Sequence, residues 1–146
     1  MNTDLKILKI KDVKSPEVGT PGSAGIDFFI PNDFKPYNLQ SGEDINIGLG
    51  IKTEFPEGLV LMAHNKSGVA TKLKLIVGAD TIDSDYRGEI HAHLFNIGKG
   101  EVVLKPGMKI VQFVLQPYIK PNLVETTENL SSTERGEGGF GSTGME

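Results

Sequence analysis

The 146-residue chain has no cysteine. That excludes disulfides, thiolate nucleophiles, and zinc or iron–sulfur sites held by cysteine. No stretch approaches the roughly 20 apolar residues of a membrane-spanning helix. The opening MNTDLKILKIKDV alternates polar and apolar residues and lacks the apolar core of a signal peptide. The expectation is a soluble, cytoplasmic protein with no membrane partner. Positive charge is also scarce. The formal net charge is −4, and among 15 basic residues only Arg87 and Arg135 are arginine. A field of that sign does not favour nucleic acid, so no nucleic-acid partner is expected, and a phosphate-bearing ligand needs a local cluster of donors. The length fits one domain. It is too short for a dinucleotide domain with a separate substrate domain, or for a barrel of eight βα units.

What the chain has is glycine (18), proline (8) and a 38% hydrophobic fraction, the profile of a turn-rich all-β domain with a real core. Leu5, Ile7, Leu8 and Ile10 predict an opening strand with one break in alternation. Ile26–Ile30 is an apolar run closed by Pro31. Ile45, Ile47, Leu49 and Ile51 alternate as one half-buried strand does. Leu59–Ala63, Ile90–Leu94, Val102–Leu104 and Met108–Leu115 complete the pattern, with turn signals at Pro56-Glu57-Gly58 and Lys105-Pro106-Gly107. Eight to ten strands in a sandwich, jelly roll or compact barrel are expected. One short helix is expected at about 67–74, with Ser67 capping its start.

Three segments carry candidate chemistry. Residues 78–90 crowd Asp80, Asp83, Asp85 and Glu89 around Tyr86 and Arg87. The offsets do not fit a calcium-binding EF-hand loop. A solvated acidic hairpin is the bland reading, and a carboxylate base beside a ring-walling tyrosine is the functional one. His64-Asn65-Lys66-Ser67-Gly68-Val69-Ala70 puts a lysine beside a Ser-Gly pair, a modest anion site that lacks the Walker pattern. Residues 131–146 hold five glycines with Arg135, Phe140, Ser142 and Thr143. Composition alone reads as a flexible tail beyond a 1–130 body. Glycine-spaced N–H groups, hydroxyls, a guanidinium and one aromatic face also suit a lid over a nucleotide. His91 and His93, at i and i+2, face one side of a strand, and no third zinc ligand suggests itself. A Ser67–His64–Asp27 triad lacks any nucleophile-elbow context.

Taken in order, Ala24-Gly25-Ile26-Asp27, Lys66-Ser67-Gly68-Val69-Ala70, Ile82-Asp83-Ser84-Asp85-Tyr86-Arg87-Gly88, Lys109-Ile110-Val111-Gln112-Phe113 and Arg135 to Gly144 resemble the five motifs of the trimeric dUTP pyrophosphatase (dUTPase) family. The resemblance runs from about residue 20 to the end. It implies a distorted jelly roll, assembled as a homotrimer with its sites between subunits, that hydrolyses Mg2+-bound dUTP to dUMP and pyrophosphate. By that resemblance Asp83 is the general base, and Tyr86 packs on deoxyribose. The hairpin of Asp80, Thr81, Ile82 and Asp83 reads uracil. Lys66, Ser67 and Gly68 hold phosphates, with Gln112 nearby. Phe140 stacks on the base. Arg135, Gly141, Ser142 and Thr143 grip the outer phosphates, and Asp27 acts indirectly, through a basic neighbour or magnesium-bound water.

The chain departs from the family pattern at four positions. Lys66 stands where arginine is usual, and lysine is a point charge without arginine's fork. Asp80 replaces a glycine, Ile26 an aromatic, and Val77 an asparagine. The alternatives are a dCTP deaminase-related enzyme, whose family lacks such an aromatic Gly-rich tail, and a non-catalytic regulatory module that binds an unidentified protein partner on the same fold.

Overall fold

In the computed structural model, which describes residues 3–144, the chain is mostly β. Twelve strands follow one another among the described residues. They are β1 (Lys6–Lys9), β2 (Glu17–Val18), β3 (Ile26–Phe29), β4 (Tyr37–Leu39), β5 (Asp44–Gly48), β6 (Ile51–Glu54), β7 (Leu59–His64), β8 (Leu75–Val77), β9 (Thr81–Ile82), β10 (His91–Asn96), β11 (Val102–Leu104) and β12 (Lys109–Pro117). They form a five-stranded sheet in the order β2-β3-β12-β7-β9, a three-stranded sheet β5-β10-β8, and the two-stranded pairs β1-β6 and β11-β4. The count exceeds the expected eight to ten because two-residue strands such as β2 and β9 leave no periodicity to read.

The alternation from Ile45 to Ile51 is divided between two strands in different sheets. Gly50 adopts φ +69, a left-handed conformation that bends the chain between β5 and β6. Ile47, Leu49 and Ile51 still share one core, so the apolar pattern crosses the bend unbroken.

The core gathers Phe28, Leu39, Leu61, Leu94, Leu104 and Phe113, all fully buried. Phe28 and Phe113 meet across the β3–β12 pair with ring centroids 4.6 Å apart and planes tilted by 55°. Each such side chain contributes about 1.5–3 kcal/mol of burial. A register shift between Lys109 and Val111 marks a bulge in β12. It lets Ile110 and Val111 both turn inward although they are adjacent.

The expected helix is present as a short helical stretch beginning at Ser67, with a π-helical turn over Val69–Leu73. Lys74 ends it at φ 57, and its N–H donates to Val69 O. Ser67 does not cap the turn, since the residue before Val69 is a helical Gly68 and no side chain caps it. Instead the Thr71 hydroxyl donates to Ser67 O at 2.7 Å. None of the described helices is long and apolar enough to cross a membrane.

Candidate active site

The acidic segment is not the expected hairpin, because its short strand β9 pairs with β7 while β10, beyond the turn, pairs with β5 and β8 in another sheet. Leu61 and Met62 pair with Ile82 and Thr81, and Ala63 N–H donates to Asp80 O at 2.8 Å. The chain then turns at Asp83, where Tyr86 N–H returns to Asp83 O at 3.1 Å. The Arg87 guanidinium braces this turn by donating to Ser84 O and Tyr86 O, at 2.7 and 3.1 Å. The outcome is a cleft of about 370 Å³ lined by Asp80, Thr81, Ile82, Asp83 and Tyr86, together with Asn46, Ala79, Glu89, His91 and His93.

Tyr86 is fixed across this cleft. Its hydroxyl donates to Glu89 O at 3.0 Å. Gly88 makes the position possible, because a Cβ there would collide with the phenol. Glu89 itself is committed to the framework. Its carboxylate accepts Gly50 N–H at 2.8 Å and pairs with Lys11 at 3.0 Å. Burial pushes the Glu89 carboxyl up, but Lys11 and the Gly50 N–H outweigh it and hold the group below the usual glutamate value. Asp83, by contrast, is exposed. It borders both the cleft and a second groove that includes Asp85, Arg87, Tyr118 and Lys120.

A second cluster lies along β3, β12 and the end of β7. In register, Gln112 of β12 stands between Asp27 of β3 and His64 of β7. Asp27 is 5% exposed. One of its oxygens bonds Lys66 Nζ, and the other lies 3.3 Å from Lys109 Nζ. Burial pushes the Asp27 carboxyl up, but the hydrogen bonds and charges of the two lysines more than offset it and hold it below the ordinary aspartate value. Gln112 Nε2 donates to Asn65 O at 2.8 Å, and Asn65 Oδ1 accepts Val77 N–H at 2.8 Å. Gly25 leaves the room that the Gln112 side chain fills. The loop that carries Lys66, Ser67 and Gly68 is thereby tied to β12.

The tail is a third, separate cluster. Residues 118–137 are exposed throughout, and Phe140 is fully exposed in a left-handed conformation, φ 52. Successive turns close within the segment: Gly136 N–H to Thr133 O, Gly138 N–H to Arg135 O, Ser142 N–H to Gly139 O and Gly144 N–H to Gly141 O. Arg135 Nε folds onto Gly138 O at 2.7 Å. Arg135, Phe140, Gly141, Ser142 and Thr143 line a concavity made of tail residues alone.

The structure therefore brings Asp80, Thr81, Ile82, Asp83 and Tyr86 together, and separately joins Asp27, Lys66 and Gln112. Among the described residues, neither Lys66 nor any tail residue lines the cleft beside Asp83. Sequence reading missed Lys109, whose partnership with Asp27 depends on the β3–β12 register. It also missed what His93 touches: Asp44 Oδ2 at 2.9 Å and the Ala79 N–H at 3.0 Å. His91 lies 3.9 Å from Glu89. Among the described residues, no three His, Asp or Glu side chains converge as a metal cage.

The dUTPase family model matches residues 11–144. The chain belongs to the dUTPase family. It is 44% identical over 131 residues to the deoxyuridine 5′-triphosphate nucleotidohydrolase of Chlamydia pneumoniae, covering 88% of this chain and 90% of that protein. It is 40% identical over 147 residues to the Rickettsia bellii enzyme of the same name, covering 98% and 97%. Its fold superposes on the Staphylococcus bacteriophage 80alpha dUTPase bound to dUpNHpp with a TM-score of 0.86, at 26% identity over 97% of this chain and 99% of that one. The chain is thus a dUTP nucleotidohydrolase, an enzyme that converts dUTP to dUMP and pyrophosphate. Within this fold the Asp83 turn, the Lys66 loop and the tail form three separate clusters.

Proposed function

We propose that this dUTPase assembles each active site from more than one copy of the chain, as a homotrimer, with the Asp83 cleft, the Lys66 loop and the tail contributed by different subunits. The observation that carries this reading is the separation of the three clusters. The carboxylate cleft, the Lys66 loop and the tail each present ligand-binding groups, yet within one chain the cleft contains residues of the first cluster only.

In this reading uracil enters the cleft and meets the backbone of residues 80–83. Tyr86 lies against the sugar and leaves no room for a 2′-hydroxyl. The Asp83 carboxylate takes a proton from a water as that water's oxygen bonds to the α-phosphorus. The bond from this phosphorus to the bridging oxygen breaks in line, and pyrophosphate leaves with the electron pair. Such chemistry asks the protein mainly for positioning and for charge to balance the phosphates. Lys66, Ser67, Gly68 and Gln112 supply phosphate contacts. Arg135, Gly141, Ser142 and Thr143 close over the outer phosphates while Phe140 covers the base, excluding water other than the nucleophile.

Magnesium fits this residue set as a cation carried in on the triphosphate. The described residues form no metal cage, and Asp27 has both oxygens occupied by lysines. Substrate oxygens and water would supply its ligands, Asp27 would act on it only through water, and Mg2+ keeps several waters readily. When bound, it neutralises charge on the phosphates. The nucleotide substrate suits a soluble, intracellular enzyme.

Mixing two inactive variants tests the assembly. One carries Asp83→Asn with an intact tail, and the other ends at residue 130 with Asp83 intact. Co-refolded, they regain part of the wild-type turnover if cleft and tail come from different chains. A mixture as inactive as its components contradicts the shared site.

A further inference from the structure

We propose that His93 is a positioning residue for the base-reading loop, holding the Ala79 backbone through an imidazole locked in one tautomer. The inference rests on the reading above that residues 80–83 meet uracil. Three contacts carry it. The Ala79 N–H donates to His93 Nδ1 at 3.0 Å. That nitrogen accepts only when it bears no proton. The other ring nitrogen, Nε2, lies 2.9 Å from Asp44 Oδ2. An ionised carboxylate only accepts, so Nε2 carries the proton. The two partners together select the neutral Nε2–H form.

The same residue holds the loop a second time. Gly78 N–H donates to His93 O at 2.8 Å, while on the far strand Ala63 N–H holds Asp80 O. Gly78, Ala79 and Asp80 are thus each tied, and His93 ties two of the three. Gly78 lies directly against the imidazole, where a Cβ would strike both the His93 ring and Phe95. The Phe95 ring stands 4.7 Å from the imidazole and fixes it from the solvent side of β10. His93 also lines the cleft beside Asp80.

A packing role and a positioning role separate cleanly. A leucine at residue 93 fills the space but leaves the Ala79 N–H without its acceptor. An asparagine sets Oδ1 where Nδ1 stood and keeps that acceptor while losing the link to Asp44. An untethered loop costs ground-state recognition and the distinction between uracil and cytosine edges, because mismatched polar groups then find room to adjust.

The test compares His93→Leu and His93→Asn in the full chain. His93→Leu should raise KM for dUTP about tenfold and lower the dUTP-over-dCTP ratio of kcat/KM about tenfold, with kcat within about twofold. His93→Asn should restore most of both. Long-range 1H–15N spectra of the wild type should show Nε2 protonated and Nδ1 bare. A protonated Nδ1, unchanged discrimination in His93→Leu, or equal losses in both variants each overturn the role of His93. Titration with dUMP reads the underlying assignment separately. Amide shifts at residues 80–82 uphold base reading by this loop, and their absence defeats that assignment. Shifts there with undiminished discrimination in His93→Leu defeat only the role of His93.

Discussion

Asp27 and Lys66, 39 positions apart in the chain, form an ion pair in which the carboxylate is almost fully shielded and the ammonium largely so. The pair joins β3 to the loop that carries Lys66, and Lys109 completes it from β12. Lys66 is thus oriented by a negative charge. In the phosphate role proposed for Lys66, Lys109 is the cation left to stabilise Asp27 when Lys66 turns to a phosphate.

The same pair makes stability depend on acid. The Asp27 carboxyl is held below its ordinary 3.8 in the folded protein. A depressed carboxylate stabilises the fold fully above its unfolded value, and loses that contribution as pH falls through its folded value. Denaturant unfolding followed from pH 5 downward should show stability declining below about pH 4, and Asp27→Asn should flatten the decline. An unchanged pH profile in the variant would show that the lysines do not depress Asp27.

Gly88 controls where the Tyr86 ring lies. Gly88→Ala forces the Tyr86 ring from its place, because the new Cβ meets the phenol. The UTP-over-dUTP ratio of kcat/KM should rise about tenfold or more, while the fold loses about 1–3 kcal/mol, the usual cost of overpacking. Equal discrimination in the variant would remove Tyr86 as the group that excludes a 2′-hydroxyl.

Removing residues 131–146 should leave the strand framework intact, since β12 ends at Pro117 and the tail's turns close on themselves. Turnover should fall by about 10²-fold or more, with the melting temperature shifted by no more than a few degrees. Normal hydrolysis by the shortened chain would refute the lid.

Much of this was legible in the sequence because the motifs are local. Asp83, Tyr86 and Gly88 belong to one turn, so their spacing already reveals their association. Phe140 and Arg135 stand out because a glycine-rich segment contains little else. The bend at Gly50 was hidden, because Leu49 and Ile51 face the same core on either side of it. Lys109 was hidden for another reason. Its charge reaches Asp27 only through the β3–β12 register and the adjacent bulge, neither of which leaves a local pattern. His93 read as one of two histidines on a strand face, and its acceptor role depends on a backbone N–H fourteen residues earlier. Ser67 looks like a helix cap, but the short π-helical turn takes its helical geometry without one.

In the proposed reaction the Asp83 carboxylate activates the attacking water. Single-turnover hydrolysis of dUTP by Asp83→Asn, with binding of a non-hydrolysable dUTP analogue measured in parallel, tests it most directly. The amide is nearly isosteric but accepts no proton. Hydrolysis should slow by about 10²–10⁴-fold while the analogue binds with affinity close to that of the wild type. Hydrolysis at the wild-type rate would show that a different group takes the proton.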